Sequence, residues 1–337
     1  MIENLLETIQ DLTPKNLQLY FITRVLKKGL KKSAKSMDKF DYKLYRVDVN
    51  PDIREHLYDL TVDQLEFMHK KNFEVSDYDV ISDDTQQIFT YQMKTKALSF
   101  ADVIYNVLPK KSKIKTIQNI ESIVLDEEMW AYCVGFDNEG EWIYTFRKIL
   151  SGKVAIDEKK GSKKGKMNSI RTYFSTKSNK LELLHGETVN LDKQIDCVFW
   201  EDAFYIFKKT QFEQIVGLAE EFKKVAEDVV ESLKNSNMIE GVELISKEVA
   251  ETPSIHKKLV RLQKTGNADN ITTESIALMR QVGKEFNLEL KCKDGKIQIE
   301  DKNDIDVALK LLCDYYKEGK VSGKNYGTYA GKQLPVN

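Results

Sequence analysis

Two apolar, aromatic runs, Ile195 to Trp200 and Ala203 to Phe207, are separated only by Glu201 and Asp202. That spacing predicts a tight β-hairpin. Neither run alternates cleanly between apolar and polar, so both faces are expected to be buried. Tyr173, Phe174, Leu181, Leu183 and Leu184 lie just upstream and predict a neighbouring pair of strands. After the hairpin, Thr210 is placed as the cap of a short helix with Phe212, Ile215 and Val216 inward.

Upstream, Ile2, Leu5, Leu6 and Ile9 mark one face of an amphipathic helix. Leu17 to Leu26 and Tyr42 to Val49 read as strands. Pro51 opens a helix carrying Ile53, Leu57, Leu60, Leu65 and Met68, with a break expected near Thr61. Gln87 to Met93 is a strand, and Ser99 caps a helix over residues 100–108 that Pro109 ends. Ile120 to Leu125 and Met129 to Phe136 are strands, and Asn138-Glu139-Gly140 turns the chain into Glu141 to Ile149.

From Leu218 the period changes from 2 to 3.6. Leu218, Phe222, Val225, Val229 and Leu233 form the stripe of a long helix. Val242 to Val249 and Ile255 to Leu262 continue as helices around Pro253. Thr272 or Thr273 caps a helix with Ile276, Met279, Val282 and Phe286 inward. Leu288 to Cys292 and Ile297 to Ile299 flank Asp294-Gly295, a hairpin signal. Asn303 is placed as the cap of the last helix, with Ile305, Leu309, Leu312 and Tyr316 inward and Gly319 as its stop; Tyr326 and Tyr329 suggest a final strand.

The fold class is therefore α+β, with a mixed, mostly antiparallel sheet in the N-terminal half. A mainly helical C-terminal half follows, with a small hairpin inside it. The expected boundary lies between residues 1–208 and 209–337.

Composition changes this picture little. The 337 residues carry 52 Lys+Arg against 53 Asp+Glu, so global charge makes no case for nucleic acid; local clusters must make it. Cys133, Cys197, Cys292 and Cys313 are far apart and form no CxxC pair, which predicts buried free thiols. His56, His69, His185 and His256 lack metal-ligand spacing, and no cofactor is expected. The N-terminus is not patterned as a signal peptide. No apolar run approaches the roughly 20 residues that cross a bilayer, so membrane action would need a partner.

The candidate chemistry lies in basic loops. Lys159, Lys160, Lys163, Lys164 and Lys166 fall in the Gly-punctuated run Asp157 to Ser169 (DEKKGSKKGKMNS), with Arg171 just beyond. Such a loop lays ammonium groups along a phosphate backbone, and its glycines allow close approach. Lys110, Lys111, Lys113 and Lys115 extend the same chemistry, and Lys177 and Lys180 sit in a polar turn with Ser175, Ser178 and Asn179. Lysines supply point charges without bidentate base readout, so any DNA binding is expected to be non-specific. A further lysine-rich connection, Lys27, Lys28, Lys31, Lys32, Lys35 and Lys39, joins the first two strands and reads as an exposed loop. Against all of these stands the plainer reading of solvated surface lysines.

Two Glu-x-Lys pairs, Glu158 with Lys160 and Glu300 with Lys302, touch the pattern of metal-dependent nucleases. In a chain so rich in both residues, such pairs arise by chance. GxxxxGK[ST], GxGxxG and GxSxG are absent from the sequence, so nucleotide hydrolysis and acyl transfer have no support.

The segments FSTKSNKLELL (174–184), GETVNLDKQIDCVFW (186–200) and AFYIFKKTQFEQIVGL (203–218) carry a resemblance, and the tail KNYGTYAGKQL (324–334) extends it. Together they resemble the KwaB-like domain family, the B protein of the Kiwa anti-phage defence system. The likeness runs over most of the chain and is specific across Ser169 to Leu218 and the tail. It implies a DNA-binding soluble subunit and brings no catalytic motif to these residues, so the preferred reading is a non-catalytic effector in the cytoplasm. It further implies a small membrane subunit that recruits the effector to the inner face of the cell membrane. The apolar stripes after Leu218 add the expectation of a homodimer. A metal-dependent nuclease of the same setting, or an interaction module without DNA contact, are the other two readings.

Overall fold

A computed structural model describes residues 2–29, 40–80, 87–93, 99–117, 123, 127–149, 154–155, 172–175, 180–183, 188–189, 191, 194–319 and 321–327. The architecture is α+β, and the chain divides into two compact units. The first comprises Met1–Leu30, Phe40–Asn72 and Gln92–Ile215; the second takes in Lys31–Lys39, Phe73–Tyr91 and Val216–Asn337.

The first unit is built on a sheet whose neighbours run Ala203–Ile206, Cys197–Trp200, Glu141–Lys148, Glu128–Asn138, Leu17–Leu26, Phe40–Val47 and Lys115–Thr116. Every pairing is antiparallel except the last, where Lys115–Thr116 runs parallel to Tyr45–Arg46. The hairpin turns at Glu201 and Asp202, both with positive φ (47° and 59°), the geometry of a primed two-residue turn. Val198 and Phe204 are fully buried, so the non-alternating pattern of this hairpin does mark burial on both faces.

The helix Pro51–Lys70 starts where Asn50 accepts a hydrogen bond from the Ile53 amide. It continues through Thr61 without the expected break. The Thr61 hydroxyl donates to the Leu57 carbonyl at 2.8 Å, so the polar side chain is satisfied inside the helix. Gln64 of this helix clasps the backbone of Ile195 through both its carbonyl and its amide, at 2.5 and 3.0 Å. Phe100 packs edge-on against Tyr42 and Phe146. Pro109 does not end the segment begun at Ser99. A wide helical turn over Val103–Val107 passes into the tighter Leu108–Lys113, with a kink at Lys110. The expected strand Ile120 to Leu125 lies outside the described residues, apart from buried Ile123.

The second unit packs the helices Ala219–Ser236, Val242–Glu251, Pro253–Thr265, Thr273–Glu285 and Lys302–Leu312 around Leu233, Ile245, Leu259, Leu262, Ile297 and Leu309. A three-stranded sheet sits among them. Ile239–Glu240 runs parallel to Lys296–Gln298, which turns back on Cys292–Lys293 through Asp294 and Gly295, both at positive φ. The parallel strand carries too few residues to show a period. Gly241 follows it at φ 82°, where a Cβ would meet the Ile299 carbonyl oxygen at 2.0 Å; only glycine fits.

Thr272 caps its helix as expected, with Ser275 returning the hydrogen bond. Three other expectations are corrected. Asp301, not Asn303, caps Lys302–Leu312, because its carboxylate accepts the amides of both Asn303 and Asp304. Tyr316 lies past that helix, in a strand pair of Tyr316–Glu318 with Asn325–Gly327. Thr210 lies inside the helix Lys209–Val216, whose first turn is closed by the Phe212 amide on the Lys208 carbonyl. The second unit also holds a parallel pair, Glu74–Asp77 with Gln87–Tyr91.

Cys133, Cys197 and Cys313 are buried free thiols, and burial pushes the Cys313 thiol up to about 12. No helix among the described residues is long and apolar enough to cross a membrane.

Candidate nucleic-acid interface

Of the residues placed in the DNA-binding set, Lys110, Lys113 and Lys115 are described with their side chains; in the connection between the first two strands, Lys28 is exposed and Lys27 lies 4.0 Å from the Asp41 carboxylate. Burial of Leu108 and Ile114 ties the Leu108–Lys113 turn to the first unit and leaves the three lysines exposed. Lys115 then enters the edge strand. The Ile117 amide donates to the Arg46 carbonyl at 2.8 Å, and the Arg46 guanidinium donates to the Thr116 hydroxyl at 2.7 and 3.0 Å. None of the three lysines meets a carboxylate among the described residues. Lys111 lies in the same turn, and its side chain is outside the described residues.

Lys180 opens the strand Lys180–Leu183, with Lys180 opposite Ser175 on the partner strand. Its side chain and Lys177 lie outside the described residues, as do Lys159, Lys160, Lys163, Lys164, Lys166 and Arg171. Of the two Glu-x-Lys pairs, Glu158 with Lys160 is likewise outside. Glu300 accepts from Lys291 at 2.8 Å, while Lys302 pairs with Glu248 at 2.6 Å, so these two do not form one site. Among the described residues no group of three or more His, Cys, Asp or Glu gathers to hold a metal ion.

The structure also assembles two polar nodes that sequence reasoning missed. The first surrounds Glu127, whose side chain is buried. Lys43 donates to it at 2.5 Å and Tyr45 at 2.9 Å, and the Thr23 hydroxyl donates as well. Burial alone would raise the Glu127 carboxyl. The three donors outweigh it and hold the group below the usual carboxylate range. Burial and this same carboxylate push the Tyr45 phenol up to about 12.

The second node centres on Trp130. Along Leu17–Leu26, Ile22 pairs with Ala131 but Thr23 pairs with Met129. Trp130 is thus the extra residue of a β-bulge, a device that re-aims a side chain. Its ring receives the Arg24 guanidinium at 3.4 Å and the Lys148 ammonium at 3.6 Å, and its indole N–H donates to the Ile215 carbonyl at 3.3 Å. Arg24 also lies 4.1 Å from the Phe40 ring and binds Glu128 at 2.7 and 2.8 Å. The Lys148 ammonium donates to the Ile149 carbonyl at 2.8 Å. Burial, followed by the Arg24 charge, lowers the Lys148 ammonium to about 8. A weak signal was present: alternation from Trp142 through Tyr144 and Phe146 sets Lys148 at the end of an aromatic stripe. The bulge that completes the node leaves no mark in the sequence.

A family model described as Kiwa protein KwaB-like matches residues 126–321. The match begins beside Glu127 and Glu128 and contains Trp130, Lys148 and the whole stretch 169–218; the tail 324–334 lies beyond it. No curated protein and no solved structure matches the chain.

Proposed function

The chain belongs to the Kiwa protein KwaB-like family, which gives it a role in Kiwa anti-phage defence, and we propose that it fills that role by binding DNA. In this reading the protein is a non-catalytic effector. It holds the phosphate backbone electrostatically, without sequence readout, and blocks use of the phage DNA. It works as a homodimer in the cytoplasm, recruited to the inner face of the membrane by a small membrane subunit of the same system.

The observation that carries the DNA reading is the state of Lys110, Lys113 and Lys115. They are exposed on an anchored turn and have no carboxylate partner among the described residues. An ammonium group not neutralised by its own protein is available to displace the counterions of a phosphate backbone. The run Lys159, Lys160, Lys163, Lys164 and Lys166, with Arg171, Lys177 and Lys180, supplies the remaining charge in this proposal.

The test is charge reversal. Replacing Lys160, Lys163, Lys164 and Lys166 by Glu is expected to weaken binding of a short mixed-sequence duplex by about 100-fold or more. The wild-type protein with Mg²⁺ or Mn²⁺ is expected to retard plasmid DNA and leave it intact. Undiminished binding by the reversed variant, or cleavage of the plasmid, contradicts the proposal.

A further inference from the structure

We propose that Arg24 and Lys148, gathered on the Trp130 ring, form an anchoring site for one phosphodiester of bound DNA; this rests on the DNA-binding reading above. The argument starts from charge. Arg24 has its counter-ion in Glu128, bonded twice. Lys148 is half-buried, and its ammonium has no carboxylate within ion-pair distance among the described residues. The nearby Asp196 carboxylate accepts the backbone N–H of Lys148 at 2.6 Å rather than the ammonium. The ammonium is left with a carbonyl and an indole ring.

Neither of those partners neutralises it. Desolvating an ammonium without a counter-ion in direct contact is costly. Glu128 and Asp196 act on the ammonium from a distance without bonding to it, so its direct contacts leave room for an anion. The donor set of the site, a guanidinium and an ammonium on one apolar ring, suits a phosphate group. The register of the strands explains how the two cations meet. Arg24 lies opposite Glu128 and Lys148 opposite Ala131, on strands that both flank Glu128–Asn138 and on the same face of the sheet. The bulge at Trp130 then sets the ring between those positions.

The depressed Lys148 ammonium supports this geometry and supplies a readout. Three charged groups act on it: Arg24 lowers it further, whereas Glu128 and Asp196 raise it. A phosphate docking there adds negative charge and raises it. Below about pH 8 the ammonium is protonated whether or not DNA is bound. Above that, the free protein has lost the proton while the complex retains it. Binding must then take up a proton, and affinity must fall as pH rises through 8.

The experiment is titration calorimetry of the full-length protein with a short duplex at pH 8, in two buffers of different ionisation enthalpy. The expected uptake is about half a proton per site, with affinity falling by up to about tenfold per pH unit above pH 8. Lys148→Arg, which stays charged, is expected to bind without uptake, and Lys148→Met to bind about tenfold more weakly with no pH dependence. Wild-type binding without proton uptake overturns this site and leaves the DNA reading standing. Absence of DNA binding overturns both. Inorganic phosphate alone is expected to produce no uptake; uptake with it would assign the node to a free anion and overturn the DNA assignment.

Discussion

Two groups of lysines are partnered in opposite ways. One group is tied down: Lys43 and Lys70 of the first unit hold Glu127 and Glu66 at 2.5 and 2.9 Å, and in the second unit four more do the same. Lys302 holds Glu248 at 2.6 Å, Lys291 spans Glu300 and Asp304 at 2.8 and 3.0 Å, and Lys258 and Lys310 share Asp306 at 2.8 and 2.6 Å. In the first unit Lys110, Lys113 and Lys115 are exposed without a carboxylate among the described residues, and Lys148 rests on an indole ring. The near-zero net charge of the chain thus conceals a division of labour. Carboxylates spread evenly would neutralise every cation a little; placed as they are, they leave one group of lysines without a carboxylate among the described residues. A protein can be neutral overall and still present a surface that attracts phosphate.

The largest effect tests the structural half of this contrast. Asp304 is buried and accepts from Lys291 and from the amides of Glu300 and Asp301. Asp304→Ala leaves those donors without their acceptor, and we expect a loss of about 2–4 kcal/mol in urea unfolding. DNA affinity of the folded fraction is expected to stay unchanged. A variant as stable as wild type would show that the pairing is decorative.

The binding half predicts the converse. Replacing Lys113 and Lys115 by Glu should leave stability within about 0.5 kcal/mol, because both side chains are exposed and neither is paired among the described residues. Affinity for duplex DNA should fall by about tenfold or more. Unchanged affinity, measured by fluorescence anisotropy, would remove the sheet edge from the interface.

How much of this was legible beforehand depended on the kind of signal. The hairpin Cys197–Ile206, the capping box at Thr272 and the Asp294-Gly295 turn were readable because local chemistry fixes each of them. The cap at Asp301 was misplaced by two residues, because Asn303 and Asp301 are equally good capping residues and only the fold selects between them. The Glu127 node was invisible, and of the Trp130 node only the place of Lys148 at the end of an aromatic stripe could be read. Each joins residues distant in the chain, Arg24 with Glu128 and Lys148, or Thr23 with Lys43 and Glu127. Their assembly depends on strand register, which composition does not record. The exposed lysines were legible as a cluster, but that none of them meets a carboxylate among the described residues was not.

A smaller effect sharpens the contrast from the side of pH. Glu127 and Asp304 are both held below the usual carboxylate range. A carboxyl lowered in the folded state stabilises it above the unfolded pKa of about 4, and that contribution is lost as pH falls through the folded value. Thermal stability should therefore be level from neutral pH to about pH 5 and decline below about pH 4. The decline should be shallower in Glu127→Gln, which retains a neutral acceptor for Lys43 and Tyr45. An identical acid limb in wild type and variant would mean that Glu127 carries none of it.

The most direct measurement of the central claim is the salt dependence of DNA affinity, compared between lysines of the two kinds. For the wild-type protein the logarithm of the association constant should fall linearly with the logarithm of salt, with a slope of about 0.9 per phosphate contacted. Replacing Lys113 and Lys115 by Ala should flatten that slope by about 1 to 2, as each lost contact removes its share of released counterions. Replacing the paired Lys302 by Ala should leave the slope unaltered. An affinity indifferent to salt, or a slope that Lys302→Ala flattens as much as the edge variant does, would contradict the account.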